Sequence, residues 1–268
     1  MKIPRYWATL EADLRIDGQV QRSRFTGGSD ISGSHALEVA QEQARAVQSR
    51  IDRNDGQRAE GYEVAIREEI VRELSPGAIV TRNRYGAEVL NCAGLVMIDV
   101  DHAPGPGLWT SLFGGDKRSP KQRMLDRIRE VATKHRDRSL SFRIYETHRG
   151  YRVLVTGRQY APTDPVVQRW FKAMNCDALY AMLCVRQACY RARLTPKPSR
   201  IRQKAIRLRF PYEREMQEQL ATWLPDYADR SKRYTVCHLI EVIGDGFVDE
   251  VVRYHDERCC RGRDLPLA

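Results

Sequence analysis

The hydrophobic patterning of this 268-residue chain predicts an α+β fold with a mostly antiparallel sheet flanked by helices. Three observations carry that expectation. The strand-like segments come as hairpins, the helical segments fall between them without a regular βαβ alternation, and no low-complexity linker divides the chain. The expected organisation is one domain with elaborations. It comprises an N-terminal strand-helix module over 1–77, a core over 78–212, and a C-terminal helical and strand elaboration over 213–268.

Residues 6–25 (YWATLEADLRIDGQVQRSRF) read as two strands around an Asp17-Gly18 turn, followed by the loop TGGSDISGS. Ser34 then reads as an N-cap. Ala36, Ala40, Ala44, Val47 and Ile51 recur at helical spacing and form one apolar stripe, ending near Asn54-Asp55-Gly56. A second helix is expected over 62–74 (YEVAIREEIVREL), stopped by Ser75-Pro76-Gly77. AIVTRN and AEVLN flank Arg84-Tyr85-Gly86 as a hairpin, and GLVMIDVD follows as a third strand, so that 78–101 is expected to be a compact β unit.

The Gly/Pro-rich stretch 102–120 is expected to be a loop beside the end of that strand. Ser119-Pro120 opens a helix whose buried face is Met124, Leu125, Ile128 and Val131, running to about His135. Strands SFRIYET (141–147) and YRVLVTG (151–157) face each other across His148-Arg149-Gly150. Helical spacing recurs over 165–174 and 178–190, whereas 203–210 (QKAIRLRF) alternates strictly, which predicts a strand with an arginine-lined side. A helix around 213–222, a strand at 233–243 and a helix near 247–259 complete the chain.

The balance of 45 Lys and Arg against 35 Asp and Glu gives a formal charge of +10, which suits a polyanionic partner. No run approaches the ~18 apolar residues of a membrane span, and no apolar leader opens the sequence, so a cytoplasmic protein without a membrane partner is expected. Seven cysteines without framework spacing read as reduced thiols. Cys237-His238 and His255-x3-Cys259-Cys260 match no structural zinc spacing, and neighbouring cysteines do not readily bind one ion, so core thiols are expected there. No Walker glycine loop, G-x-S-x-G elbow or H-E-x-x-H helix occurs.

Three constellations remain. Asp99 and Asp101, in LVMIDVDH, stand two apart on a strand, so alternation aims both carboxylates to one face. Their repulsion is best offset by an oxygen-preferring divalent cation, Mg²⁺ or Mn²⁺, unless the strand end has already reached solvent. In THRGYR, Thr147, His148, Arg149 and Arg152 surround a turn in which Gly150 is expected to take a positive φ, and these side chains suit phosphate oxygens. Finally, no acidic residue occurs between Ala178 and Tyr212, while Arg186, Arg191, Arg193, Lys197, Arg200, Arg202, Lys204, Arg207 and Arg209 supply nine positive charges. A surface kept only for solubility would mix signs; this one suits nucleic acid, with Tyr190, Phe210 and Tyr212 as stacking faces.

A strand ending in VMIDVDH, then a helix, then the hairpin THRGYR, then a basic region, resembles the archaeo-eukaryotic primase superfamily over about residues 78–212. The resemblance implies an RRM-like core and two-metal phosphoryl transfer, with Mg²⁺ or Mn²⁺ held by Asp99 and Asp101. Thr147 stands where the family has a serine, and Arg152 where it has a histidine that contacts nucleotide phosphate. Thr147, His148, Arg149, Gly150 and Arg152 would thus meet a nucleoside triphosphate, and the basic region a single-stranded or primed template. The family's third carboxylate is not placed by the sequence; Asp177 is a distant candidate. Two alternatives keep the same residues: a single-strand-binding replication-accessory protein without catalysis, and a metal-dependent nuclease.

Overall fold

A computed structural model describes residues 1–53, 65–101 and 118–268, and over these the α+β class with antiparallel sheets holds. The elements in order are β1 (Tyr6–Ile16), β2 (Gln19–Ser29), α1 (Gly33–Asp52), β3 (Glu69–Ser75), β4 (Ala78–Arg82), β5 (Glu88–Cys92), β6 (Val96–Asp101) and α2 (Pro120–His135). They continue with β7 (Ser141–Thr147), β8 (Gly150–Thr156), α3 (Pro165–Met174), α4 (Ala178–Gln187), β9 (Tyr190–Arg193), α5 (Arg214–Ser231), β10 (Cys237–Ile243) and α6 (Glu250–Cys259).

The strands form three sheets: β1-β2, β3-β4-β5-β9 and β10-β7-β8-β6. In the last, β6, α2 and β7 make a split β-α-β unit, because β8 runs antiparallel between two strands of common direction. β10 adds beside β7 and leaves β6 at the edge. That edge is covered from α4: the Asp177 backbone N–H donates to Asp99 O at 3.0 Å, and the Tyr180 hydroxyl donates to Met97 O at 2.9 Å. A single core of buried residues joins the two four-stranded sheets, running from Val80 and Leu90 through Ile98 and Val100 to Trp170 and Met174. Ile98 and Val100 are fully buried, each contributing roughly 1.5–3 kcal/mol, and their alternation turns Asp99 and Asp101 to the other face.

Several expectations need correction. Residues 69–75 are strand β3, not the end of a helix, and 62–64 lie outside the described residues. The acids that suited a helix are cross-strand partners instead: Glu69 sits opposite Arg82, with Nε 3.0 Å from the carboxylate. The segment 78–101 is not one β unit, since β4 and β5 pair together while β6 crosses to the other sheet. Residues 203–210 alternate as expected, Ile206 and Leu208 inward and Arg207 and Arg209 outward, yet no strand forms. Its inward residues pack on Leu220 of α5, and Leu208 N donates to Arg84 O outside any ladder.

The helix expected to reach residue 190 stops at Gln187, where Ala188 takes φ +52°, and β9 follows. Helix α1 is capped by Ser32 rather than Ser34, its side chain accepting from His35 N. The 102–117 part of the expected loop lies outside the described residues. Gly150 is required for close approach, not for a positive φ: a Cβ there would stand 2.0 Å from Val100 O.

That contact makes Gly150→Ala a test of the β6–β8 pairing. Urea denaturation should show a loss of about 2–4 kcal/mol, whereas Gly33→Ala, where a Cβ meets nothing within 4 Å, should leave stability unchanged.

Candidate functional site

One face of the β10-β7-β8-β6 sheet carries a row of charges. Register places Arg152 directly opposite Asp99 on one side and Tyr145 on the other, so the three side chains share that face. Arg152 is only 4% exposed, and a cation so buried requires an opposite charge. Its Nε lies 3.2 Å from Asp99 Oδ1, its Nη1 donates to Arg193 O at 3.1 Å, and the same Nη1 is 3.3 Å from His255 Nε2. His255 Nδ1 is 3.0 Å from Asp256 Oδ1, which also accepts from the Tyr145 hydroxyl at 2.6 Å. Arg143 closes the chain, its Nη2 on the second Asp256 oxygen and its Nε donating to Tyr145 at 2.9 Å. Burial, then Asp256, pushes the Tyr145 phenol up, so it stays a donor. The network alternates sign and leaves Arg143 and Arg152 each facing a carboxylate.

At the C-terminal end of β6 the two aspartates are joined by a third. Asp177 caps α4, its side chain accepting from Tyr180 N at 2.7 Å, while its backbone holds Asp99 O. Desolvation, then the charges of Asp99 and Asp177, raise the Asp101 carboxyl above its ordinary range, and Arg200 and Arg149 oppose the rise. The Arg193 guanidinium is pushed down to about 10 by burial and then by Arg152 and Arg200, and its Nε has no hydrogen-bond partner. The corner therefore combines three carboxylates in mutual repulsion with three arginines, Arg149, Arg193 and Arg200, that form no ion pair among the described residues. This donor set suits Mg²⁺ or Mn²⁺, which take one or two carboxylates and keep waters for other positions. Among the described residues, however, these three carboxylates do not gather within 4.8 Å of one another.

The remaining expected residues divide. Thr147 is half-buried at the end of β7, His148 Nδ1 lies 3.0 Å from Leu267 O, and Arg149 projects into solvent near Asp101. Of the basic stretch, Arg186, Lys197, Arg202, Lys204, Arg207 and Arg209 are exposed. Arg191 instead pairs with Glu68 at 2.6 Å. Arg207 and Arg209 join Arg67, Arg84, Tyr85 and Phe210 in lining a groove of about 850 Å³, which sets guanidinium groups beside two aromatic rings.

A second donor group lies where core thiols were expected. Cys237, His255 and Cys259 are fully buried, and their ligand atoms lie within 4.8 Å of one another. Its signal was present in part, since His255-x3-Cys259 places both side chains on one helical face, but Cys237 arrives from a strand. All seven cysteines are free, as expected. Among the described residues no helix is long and apolar enough to cross a membrane. Comparison with protein-family models, with curated proteins and with solved structures gave no match.

Two outcomes follow from the charges. Arg152→Ala leaves Asp99 unpaired and should destabilise the fold by about 3–5 kcal/mol in urea titrations. A raised carboxyl favours the folded state below its own pKa and loses that advantage as pH rises through it. Asp101→Asn should thus raise the melting temperature at pH 7 in the presence of chelator, and the gain should shrink as pH falls through the raised Asp101 pKa and be gone by the ordinary carboxylate range.

Proposed function

We propose that this chain is a nucleic-acid-binding, metal-dependent nucleotidyltransferase similar to primase-polymerases. The observation that supports this most is the corner of β6, where Asp99, Asp101 and Asp177 meet Arg149, Arg193 and Arg200. Carboxylates beside guanidinium groups are what a metal-bound triphosphate needs on its two sides. Bound Mg²⁺ or Mn²⁺ would supply Lewis-acid neutralisation of the phosphates and activation of the attacking hydroxyl.

The chain's own residues then have separate tasks. Asp101 offers a carboxylate at the open strand end, and Asp99 offers its second oxygen, the first being engaged by Arg152. Arg152, with its donors committed inside the protein, holds Asp99 in place and is a positioning residue rather than a phosphate contact. Arg149, Arg193 and Arg200 grip phosphate, with Thr147 and His148 at the hairpin tip beside them. The groove lined by Arg67, Arg84, Arg207 and Arg209 tracks a single strand, whose bases stack on Tyr85 and Phe210.

A second reading has an observation of its own. The Asp99–Arg152 pair, which engages one oxygen of a would-be metal ligand, favours a single-strand-binding accessory protein that performs no transfer.

Incubation with primed template, labelled nucleoside triphosphates and Mn²⁺ separates the two readings. Extension that disappears in Asp101→Ala is the expected result. Salt-sensitive retention without extension supports the binder, and shortening of the primer supports a nuclease. Arg207→Ala should reduce the slope of log affinity against log salt by about 1.

A further inference from the structure

We propose that Cys237, His255 and Cys259, completed by Cys260, form a structural zinc site beneath the charged face of the sheet. Cys237 opens β10, while His255 and Cys259 stand one turn apart on α6, so the two elements that close this end of the molecule meet at these side chains. The three ligand atoms lie within 4.8 Å of one another without any bond between them, and the residues are fully buried.

Cys260 is the fourth donor of the proposed site: it stands beside Cys237, just outside the three-residue group. The helix ends at Cys259, and the φ −105°, ψ 63° of Cys260 leaves the helical path. Neighbouring cysteines therefore leave the backbone differently, and the Cys260 Sγ comes to 3.7 Å from that of Cys237. Two thiolates on one zinc in a tetrahedron, with Zn–S near 2.3 Å, stand about 3.8 Å apart. Two thiols of a disulfide would stand much closer.

The surroundings fit a bound imidazole. Asp256 lies 3.0 Å from His255 Nδ1, the carboxylate–histidine arrangement that fixes the tautomer and leaves Nε2 its lone pair. Asp256 is itself fixed by Tyr145 and Arg143. Three thiolates, a neutral histidine and one Zn²⁺ carry a net single negative charge, and Arg152, 3.3 Å from His255 Nε2, provides the opposite charge in the same dry region. A metal at Nε2 leaves Arg152 with Asp99 and the Arg193 carbonyl, its other two partners. Soft sulfur and nitrogen donors select zinc here, whereas the all-oxygen corner at Asp101 selects Mg²⁺ or Mn²⁺.

The full chain, purified in reducing buffer with zinc supplied and then desalted, should retain about one zinc per chain by elemental analysis. Cys237→Ser should lower that content at least ~10-fold, while Cys92→Ser, a buried thiol in β5, should keep it. Because Cys237→Ser can fail to fold, cobalt(II) is exchanged into the unaltered chain as a second readout. An intense sulfur-to-cobalt charge-transfer band with tetrahedral ligand-field bands is the expected spectrum. Folded protein that retains no zinc while all seven thiols titrate as reduced after denaturation would overturn the site, and so would a reducible Cys237–Cys260 disulfide with no metal retained.

Discussion

A guanidinium buried at 4% exposure on β8 sets the terms for the rest of this molecule. Arg152 cannot be left without a counter-charge in such a place, and Asp99 is provided for it at the register position directly opposite. Several groups near that pair complete its hydrogen bonding. The Arg193 carbonyl takes Nη1, α6 brings His255 and Asp256 over the sheet, and Tyr145 and Arg143 fill the next positions. The opposite face of the same strands is apolar, with Ile98, Val100 and Val153 fully buried. Period-two alternation thus divides one sheet into a hydrocarbon side, which contributes the main driving force for folding, and a charged side, which fixes geometry.

The charged side ends in two chemically unlike corners. Carboxylates that raise the Asp101 pKa stand where β6 stops, beside arginines that repel one another. Sulfur and nitrogen donors gather where β10 meets α6. Arg152 reaches both, through Asp99 in one direction and His255 in the other. Its two roles are electrostatic and need no movement of its side chain.

Much of this was legible in the sequence, and the parts that were not share a cause. The alternation Ile98, Asp99, Val100, Asp101 identified the strand and its carboxylate face directly, and Ser119-Pro120 marked the start of α2 to the residue. Such signals are local. The helix expected over 62–74 failed because the partner that decides Glu69 is Arg82, across a turn, and propensity carries no information about it. β9 was lost for the same reason: four residues leave too short a pattern, and its place depends on β5. Asp177 was noticed but not placed, since only the packing of α4 against β6 brings it to Asp99. The proximity of Cys237 to His255 and Cys259 was not legible because spacing rules describe ligands on one short loop, while these come from a strand and a helix that meet only in the tertiary fold. Strict alternation over 203–210 gave the correct inward and outward residues without giving the hydrogen bonds, because a helix, not a strand, lies beside them.

The covering of β6 has a consequence for assembly. Met97 O and Asp99 O, the acceptors that another strand would seek, are already taken by Tyr180 and Asp177 from α4. The other edge of that sheet is β10, where the register slips between Leu239 and Glu241 and Ile240 is left over as a bulge. A second polypeptide aligned along β10 would lose its ladder at that residue. Neither margin of this sheet is a continuous template for strand addition: the Asp177 N–H and the Tyr180 hydroxyl close one, and the bulge at Ile240 interrupts the other.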